Sequence, residues 1–296
     1  MNIPSPLFIT IVLFSFSGRA QNTALSSENA QLQLVSDGFE FTEGPAADAE
    51  GNIYFTDQPN NRIHKWSVDS NEVSVYMEEA GRANGLFLDA EGNLYAAADK
   101  HGEIWMINPK KEVTVLLDKF RGQRFNGPND LWIAPDSGIF FTDPFYKRPY
   151  WNHSAQPIKE QRVYYLTPNR KGLFIAAKEL VKPNGIIGTP DGKILYVADI
   201  EDNKTWQYEI GKDGKLENRK LFTGMGSDGM TMDEQGNLYL TGDGVTVFNK
   251  EGEKILHIPV DKDWTANVTF GGKGKKTLFI TAMDSLFSFE MNVKGN

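Results

Sequence analysis

Short apolar runs of four to seven residues, each bounded by Gly, Asn or Asp, follow one another along almost the whole chain. Runs of this length between turn-forming residues predict strands and hairpins. No segment keeps the 3.6-residue apolar period of a helix. In the first copy of the pattern the runs fall at 44–47, 53–56, 63–68 and 73–77. In the second they fall at 85–88, 94–98, 104–107 and 113–117, and in the fifth at 229–232, 238–241, 245–248 and 254–258. The unit recurs six times. Its second runs end at positions 57, 99, 143, 199, 242 and 282, which sets periods of 42, 44, 56, 43 and 40 residues. Four strands in each period of roughly 40–50 residues mark a propeller blade. The expected fold class is therefore all-β: a six-bladed β-propeller with four-stranded antiparallel blades.

The two ends of the pattern fit together. The last repeat has three runs only, at 268–270, 278–281 and 286–289, whereas a run at 32–35 precedes the first blade and belongs to none. Pairing that N-terminal strand with the last blade would close the ring and remove an exposed edge. The expected division is a signal peptide over 1–20, a polar connector over 21–31, the propeller over 32–290 and a C-terminal tail over 291–296. Residues 7–16 are an apolar run too short to span a bilayer, followed by Gly18, Arg19 and Ala20, which reads as a secretory signal peptide cleaved near Ala20. Residues 1–6 lack the Lys or Arg that usually precedes such a run. The expectation is an exported chain, periplasmic or secreted, with no membrane span once the peptide is removed.

Composition narrows the chemistry. The 296 residues are 40% hydrophobic and 24% charged, enough for a large core. A net charge of −8 and the lack of any Lys/Arg block argue against nucleic-acid binding. There is no cysteine, which excludes disulfides, thiolate metal sites and cysteine nucleophiles together. His64, His101, His153 and His257 have no metal-ligand spacing, and there is neither a G-x-S-x-G elbow nor a P-loop.

The residue that opens each repeat stands 14 or 15 positions before the end of the second run in all six copies: Glu43, Asn84, Asn129, Asn184, Asp228 and Asn267. Asn-Gly and Asp-Gly are common turn dipeptides, which accounts for Asn84, Asn184 and Asp228 but not for Glu43. In a propeller the first strand of each blade lines the central channel, so all six side chains should meet at one mouth of it. Two carboxylates in a narrow channel cost several kcal/mol each to desolvate unless a cation compensates them. Carboxylate and amide oxygens suit a hard divalent ion. Protein oxygens that fall short of calcium's roughly 6–8 ligands leave room for water and for a substrate oxygen.

The third period is long because residues 144–161 (PFYKRPYWNHSAQPIKEQ) interrupt it between second and third strands. This insert carries Phe145, Tyr146, Tyr150, Trp151 and His153. It is expected to act as a lid on a cleft.

The motifs Phe41-Thr42-Glu43-Gly44-Pro45, Gly127-Pro128-Asn129-Asp130, Lys182-Pro183-Asn184-Gly185 and Ser227-Asp228-Gly229-Met230 resemble those of the senescence-marker-protein/gluconolactonase/luciferin-regenerating-enzyme family. That resemblance spans about residues 32–290. It implies a hydrolase that opens a lactone ring with one divalent cation, calcium first, with Mg²⁺, Mn²⁺, Zn²⁺ or Fe²⁺ as alternatives. By the same resemblance Glu43, Asn129, Asn184 and Asp228 hold the metal. Asp228 is catalytic, orienting or deprotonating water, or acting as nucleophile as considered for diisopropylfluorophosphatase-like relatives. Asn129 completes the metal shell or contacts substrate. Asn84, Asn267, Arg124, Tyr146 and Trp151 are expected to line the substrate cleft. Animal members carry a substrate-gripping Arg where Gly127 stands here, with Arg82 and Arg124 as candidate substitutes. The alternatives are a phosphotriesterase- or arylesterase-type hydrolase, and a non-catalytic ligand-binding propeller with structural calcium. The expected partner is a small molecule.

Overall fold

The second strand of every blade is buried along almost its entire length because both of its faces are covered by neighbouring blades. Ile53–Asp57, Leu94–Ala98, Ile139–Asp143 and Leu238–Gly242 are buried at every position. In the computed structural model, which describes residues 25–296, these strands belong to six four-stranded antiparallel sheets. Blade one runs Thr42–Ala47, Ile53–Asp57, Arg62–Trp66 and Val73–Glu78 from the axis outward. The next four blades repeat that order, and a two-stranded ribbon, Lys119–Phe120 with Gln123–Arg124, leads into blade three.

Six apolar clusters fill the six gaps between blades. Tyr54 and Ile63 meet Leu86 and Ala96 between blades one and two; Tyr95 and Ile104 meet Phe141 and Tyr164 between two and three. Trp132 and Phe140 meet Leu195 and Val197 in the next gap, Tyr196 meets Leu238 and Leu240, and Tyr239 meets Phe270 and Leu278. The last gap joins blade six to blade one through Phe279 and Leu286 against Ile53, Phe55 and Trp66. Each large side chain buried here stabilises the ring by roughly 1.5–3 kcal/mol. Consecutive residues of one strand therefore serve two different interfaces, which explains the largely apolar runs.

The ring closes as the sequence predicts. Gln33–Asp37 pairs antiparallel with Ser285–Glu290 and supplies the outer strand of the sixth sheet. Thr42 ties the seam from the axial side, its N–H donating to the Met283 carbonyl at 2.7 Å and its hydroxyl to Ser285 at 3.0 Å. The segment after Glu290 packs back under blades five and six: Met291 and Val293 are buried, and Gly295 pairs with Asp233. The expected signal peptide, residues 1–20, lies outside the described residues. Among the described residues no helix is long and apolar enough to cross a membrane.

Candidate active site

At four of the six opening residues the strand ladder is broken by a bulge, while in blades three and five the first strand starts after the opening, at Leu131 and Met230. Pairing of first with second strands shifts register between Glu43 and Ala46, Ala83 and Leu86, Pro183 and Ile186, and Thr265 and Asn267. Threonines of the second strands brace these openings. Thr142, Thr241 and Thr281 accept the backbone N–H groups of Asp130, Gly229 and Asn267 at 2.9–3.1 Å, and Thr56 donates to the Asn84 carbonyl at 3.1 Å. The Asn-Gly and Asp-Gly pairs are thus not turns. Their glycines are needed for close approach: a Cβ on Gly229 would lie 1.9 Å from Asn267 Cγ, and one on Gly185 2.6 Å from the Asp228 carbonyl oxygen. Gly44 and Gly85 meet the openings of blades two and three just as tightly. The polar openings consequently pack blade against blade around the axis.

Four of their side chains form two hydrogen-bonded pairs, Asn184 with Asp228 and Asn267 with Glu43. Asn184 Nδ2 donates to Asp228 Oδ1 at 2.7 Å, and Trp264 Nε1 donates to Asp228 Oδ2 at 2.6 Å. Asn267 Nδ2 donates to Glu43 Oε2 at 3.4 Å, which also accepts the Gly44 N–H at 3.0 Å. Asn84 and Asn129 are buried, and among the described residues their side chains accept and donate no hydrogen bond. Burial pushes the Glu43 carboxyl well above its usual range, and the negative charge of Asp228 pushes it further. Asp228 is raised to about 6 by burial, against the lowering effect of the Trp264 and Asn184 donors and of the Arg148 charge. Asp130, next to Asn129, is raised to about 7 by burial although the Leu131 and Ile186 N–H groups hold it down.

Three carboxyl groups thus share one dry space. Arg148, whose charge reaches Glu43 and Asp228, is itself bound at 2.8 Å to Asp99. Among the described residues no group of three or more His, Cys, Asp or Glu side chains is arranged to hold a metal ion. The opening residues form a different donor set, two carboxylates with amides. One observation argues that this set fits a cation: Asn184 Oδ1 is buried with no hydrogen-bond partner. An orphaned buried acceptor beside crowded carboxylates lacks a positive charge. A cavity of about 490 Å³ is lined by the first strands of all six blades. Of the six openings, only Asn267 lines it. Asp130 lines it as well, whereas Glu43 and Asp228 do not.

Residues 144–160 reach the openings at Asn184. The Tyr146 hydroxyl accepts from Asn184 Nδ2 at 2.9 Å, which ties the insert to the Asn184–Asp228 pair. Trp151 and Arg124, both expected in the cleft, instead anchor the insert. Trp151 Nε1 donates to the Asp99 carbonyl, Arg124 Nη2 donates to the Asp99 and Lys100 carbonyls, and the guanidinium lies 5.2 Å from the Trp151 ring. Arg82 donates to the Pro59 carbonyl and stacks on Tyr150. Sequence reasoning missed Asp130, Arg148 and Trp264, and named Tyr150 only as one of the aromatics of the insert. Only Asp130 had a signal, its place beside an opening residue; the others sit on connections that obey no period.

A closed six-bladed propeller with buried carboxylates and amides about its axis, beside an inserted loop, defines the class. Within that class the chain belongs to the SMP-30/Gluconolactonase/LRE-like family, whose model matches residues 41–284. The chain is 29% identical over 292 residues to a gluconolactonase of Zymomonas mobilis, covering 88% of this chain and 81% of that one. A solved gluconolactonase from Xanthomonas campestris is 28% identical, with a TM-score of 0.82 and coverage of 90% and 91%. The calcium-binding protein regucalcin from Agrobacterium tumefaciens, at 17% identity and a TM-score of 0.75 over 90% of this chain and 96% of that one, shares the fold.

Proposed function

We propose that this protein is a lactonase of the gluconolactonase kind, opening the ring of a small lactone at the axial carboxylate site. The observation that carries the reading is the two pairs Asn184–Asp228 and Asn267–Glu43, with Tyr146 bound to Asn184 and the Asn184 carbonyl oxygen left without a partner. The gluconolactonase relatives support the substrate class. Glu43, Asn184 and Asp228, with Asn129, would hold a divalent cation, calcium being the first candidate. When bound, it would polarise the acyl carbonyl and stabilise the negative charge that develops there.

The chain's own residues supply the remainder. Asn84 and Asn129 have free amide groups with which to orient a ring or carbonyl oxygen. Asp228, fixed by Trp264 and Asn184, is placed to take a proton from the attacking water, whose oxygen bonds to the acyl carbon. The acyl C–O bond of the ring breaks, the ring oxygen leaves as a hydroxyl after receiving that proton, and the product is a hydroxy acid. Tyr146 and Arg148 on the insert exclude bulk water and place positive charge beside the forming carboxylate. Export is part of the same proposal and rests on the apolar run of residues 7–16.

The test is continuous titration of acid release from δ-gluconolactone, homoserine lactones and aryl esters. The reading expects aldonolactone hydrolysis that EDTA abolishes and a divalent ion restores. Hydrolysis indifferent to chelation would contradict the cation, and turnover of aryl esters alone would contradict the substrate class.

A further inference from the structure

In three blades the aspartate that ends the second strand ties down its own blade. Asp57 accepts the N–H groups of Glu40 and Phe41, 17 and 16 residues earlier. Asp143 accepts those of Asn126 and Gly127, again 17 and 16 residues earlier, at 3.0 and 2.8 Å. Asp199 does the same for Val181 and Lys182, at 2.9 and 2.7 Å. Blade two departs from the rule. The matching amides, three and two residues before the opening residue, are Gly81 and Arg82, and that of Arg82 goes to Asn61 Oδ1 at 2.6 Å instead. Asp99 is therefore released, although its side chain is only 2% exposed.

Its Oδ2 atom accepts three side-chain donors from outside its own sheet. Tyr150 OH donates at 2.5 Å, Arg148 Nε at 2.8 Å and Gln58 Nε2 at 3.3 Å. Two of the three come from the insert. The third insert contact, Trp151 Nε1, goes to the Asp99 backbone carbonyl at 3.1 Å. Position 127 makes room for this: a Cβ there would lie 2.8 Å from Asp99 Oδ1 and 3.0 Å from the Trp151 ring. Held by this carboxylate, Arg148 lies 5.3 Å from the Tyr146 ring, and Tyr146 in turn accepts from Asn184 of the axial site.

We propose that Asp99 is the catch of the lid: a positioning residue that holds residues 144–160 shut and aims Arg148 and Tyr146 at the axial site. It acts through Arg148 and Tyr150 and touches no axial residue directly. A charge-assisted bond with ideal partners is far stronger than a neutral one, so the catch is a discrete contact rather than diffuse packing. The kinetic consequence rests on the lactonase reading; the closure of the lid does not.

The experiment compares Asp99→Asn, Tyr150→Phe and Gly127→Ala with Asp199→Asn, which breaks the structural counterpart in blade four. Two readouts are taken, limited trypsin cleavage at Lys147 and Lys159, and KM against kcat for lactone hydrolysis. The three catch variants should be cut within the insert about 10- to 100-fold faster than wild type, the range expected from losing a hydrogen bond to a charged group. They should raise KM by a similar factor while the melting temperature moves little. Asp199→Asn should lower the melting temperature and leave cleavage of the folded insert unchanged. The proposal is overturned if the catch variants keep a protected insert, or if Asp99→Asn merely loses stability as Asp199→Asn does. Should Asp99→Asn fail to fold, Tyr150→Phe and Gly127→Ala decide by the same criteria. If the wild-type protein hydrolyses no lactone, the lactonase reading fails while the cleavage comparison still decides the catch.

Discussion

Asn184 gives one amide hydrogen to Asp228 at 2.7 Å while its own carbonyl oxygen stays buried and unpartnered. These two residues come from adjacent blades and lie 44 positions apart in sequence. Donation from Nδ2 to Asp228 and to the Tyr146 hydroxyl fixes the amide and leaves its oxygen without a donor. Leaving a buried acceptor unmade costs about 1–3 kcal/mol, a cost that a bound cation would remove. The pairing is thus better explained by a ligand than by folding stability.

The crowded carboxyl groups make a prediction about pH. Asp130 and Asp143 titrate at about 7 and Asp228 at about 6 in the folded chain, with Glu43 also raised. Their unfolded values lie near 4. Because the folded values are raised, the stabilising contribution is complete below the unfolded pKa and is lost as pH climbs through the folded one. Metal-stripped protein should therefore lose stability between about pH 4 and pH 7, at about 1.4 kcal/mol per pH unit for each proton involved. A saturating divalent ion should flatten that slope and raise the melting temperature most at neutral pH. Thermal unfolding from pH 5 to 8, with EDTA and with calcium, measures both. A melting temperature that rises with pH in EDTA would contradict the electrostatics.

Trp264 is the indole donor that keeps Asp228 ionisable. Trp264→Phe keeps an apolar ring at the rim but removes the N–H. A hydrogen bond to a charged group contributes about 1.5–3 kcal/mol, so kcat/KM should fall about 10- to 100-fold. The acid limb of the pH–rate profile should move to higher pH, since a lost donor raises the carboxyl pKa. An unshifted limb would assign that limb to another group.

Glycines at the blade openings test the packing of the ring. Gly229→Ala drives a methyl group into the Asn267 side chain, whereas a Cβ on Gly224 meets nothing within 4 Å. The first substitution should destabilise by about 1–3 kcal/mol or more, as overpacking does. Gly224→Ala should remain within about 0.5 kcal/mol of wild type, as surface changes do. Equal effects in chemical denaturation would mean the openings do not touch as described.

The propeller was legible because its signal is periodic. Six largely apolar second strands, a distance of 14 or 15 residues from opening residue to strand end, and an orphan N-terminal strand specify six blades and their closure. The nearness of Asn184 to Asp228 and of Asn267 to Glu43 was legible for the same reason, since equivalent positions of neighbouring blades lie side by side around the axis. Two matters were not legible. The pairs such as Asn184-Gly185 look like turns, and only the proximity of the next blade shows that the glycine admits a neighbour. Arg148, Tyr150 and Trp264 lie on loops whose paths depend on packing across blades, so spacing says nothing of them. Arg124 and Trp151 drew attention by residue type alone, and they hold the lid rather than face the axial carboxylates.

Calorimetric titration of calcium into metal-stripped wild type, Glu43→Gln and Asp228→Asn tests the shared axial site most directly. The account predicts one ion per wild-type chain, and at least a tenfold loss of affinity in either variant while both remain folded. Undiminished binding in Glu43→Gln and Asp228→Asn, or no binding by the wild-type chain, would contradict it.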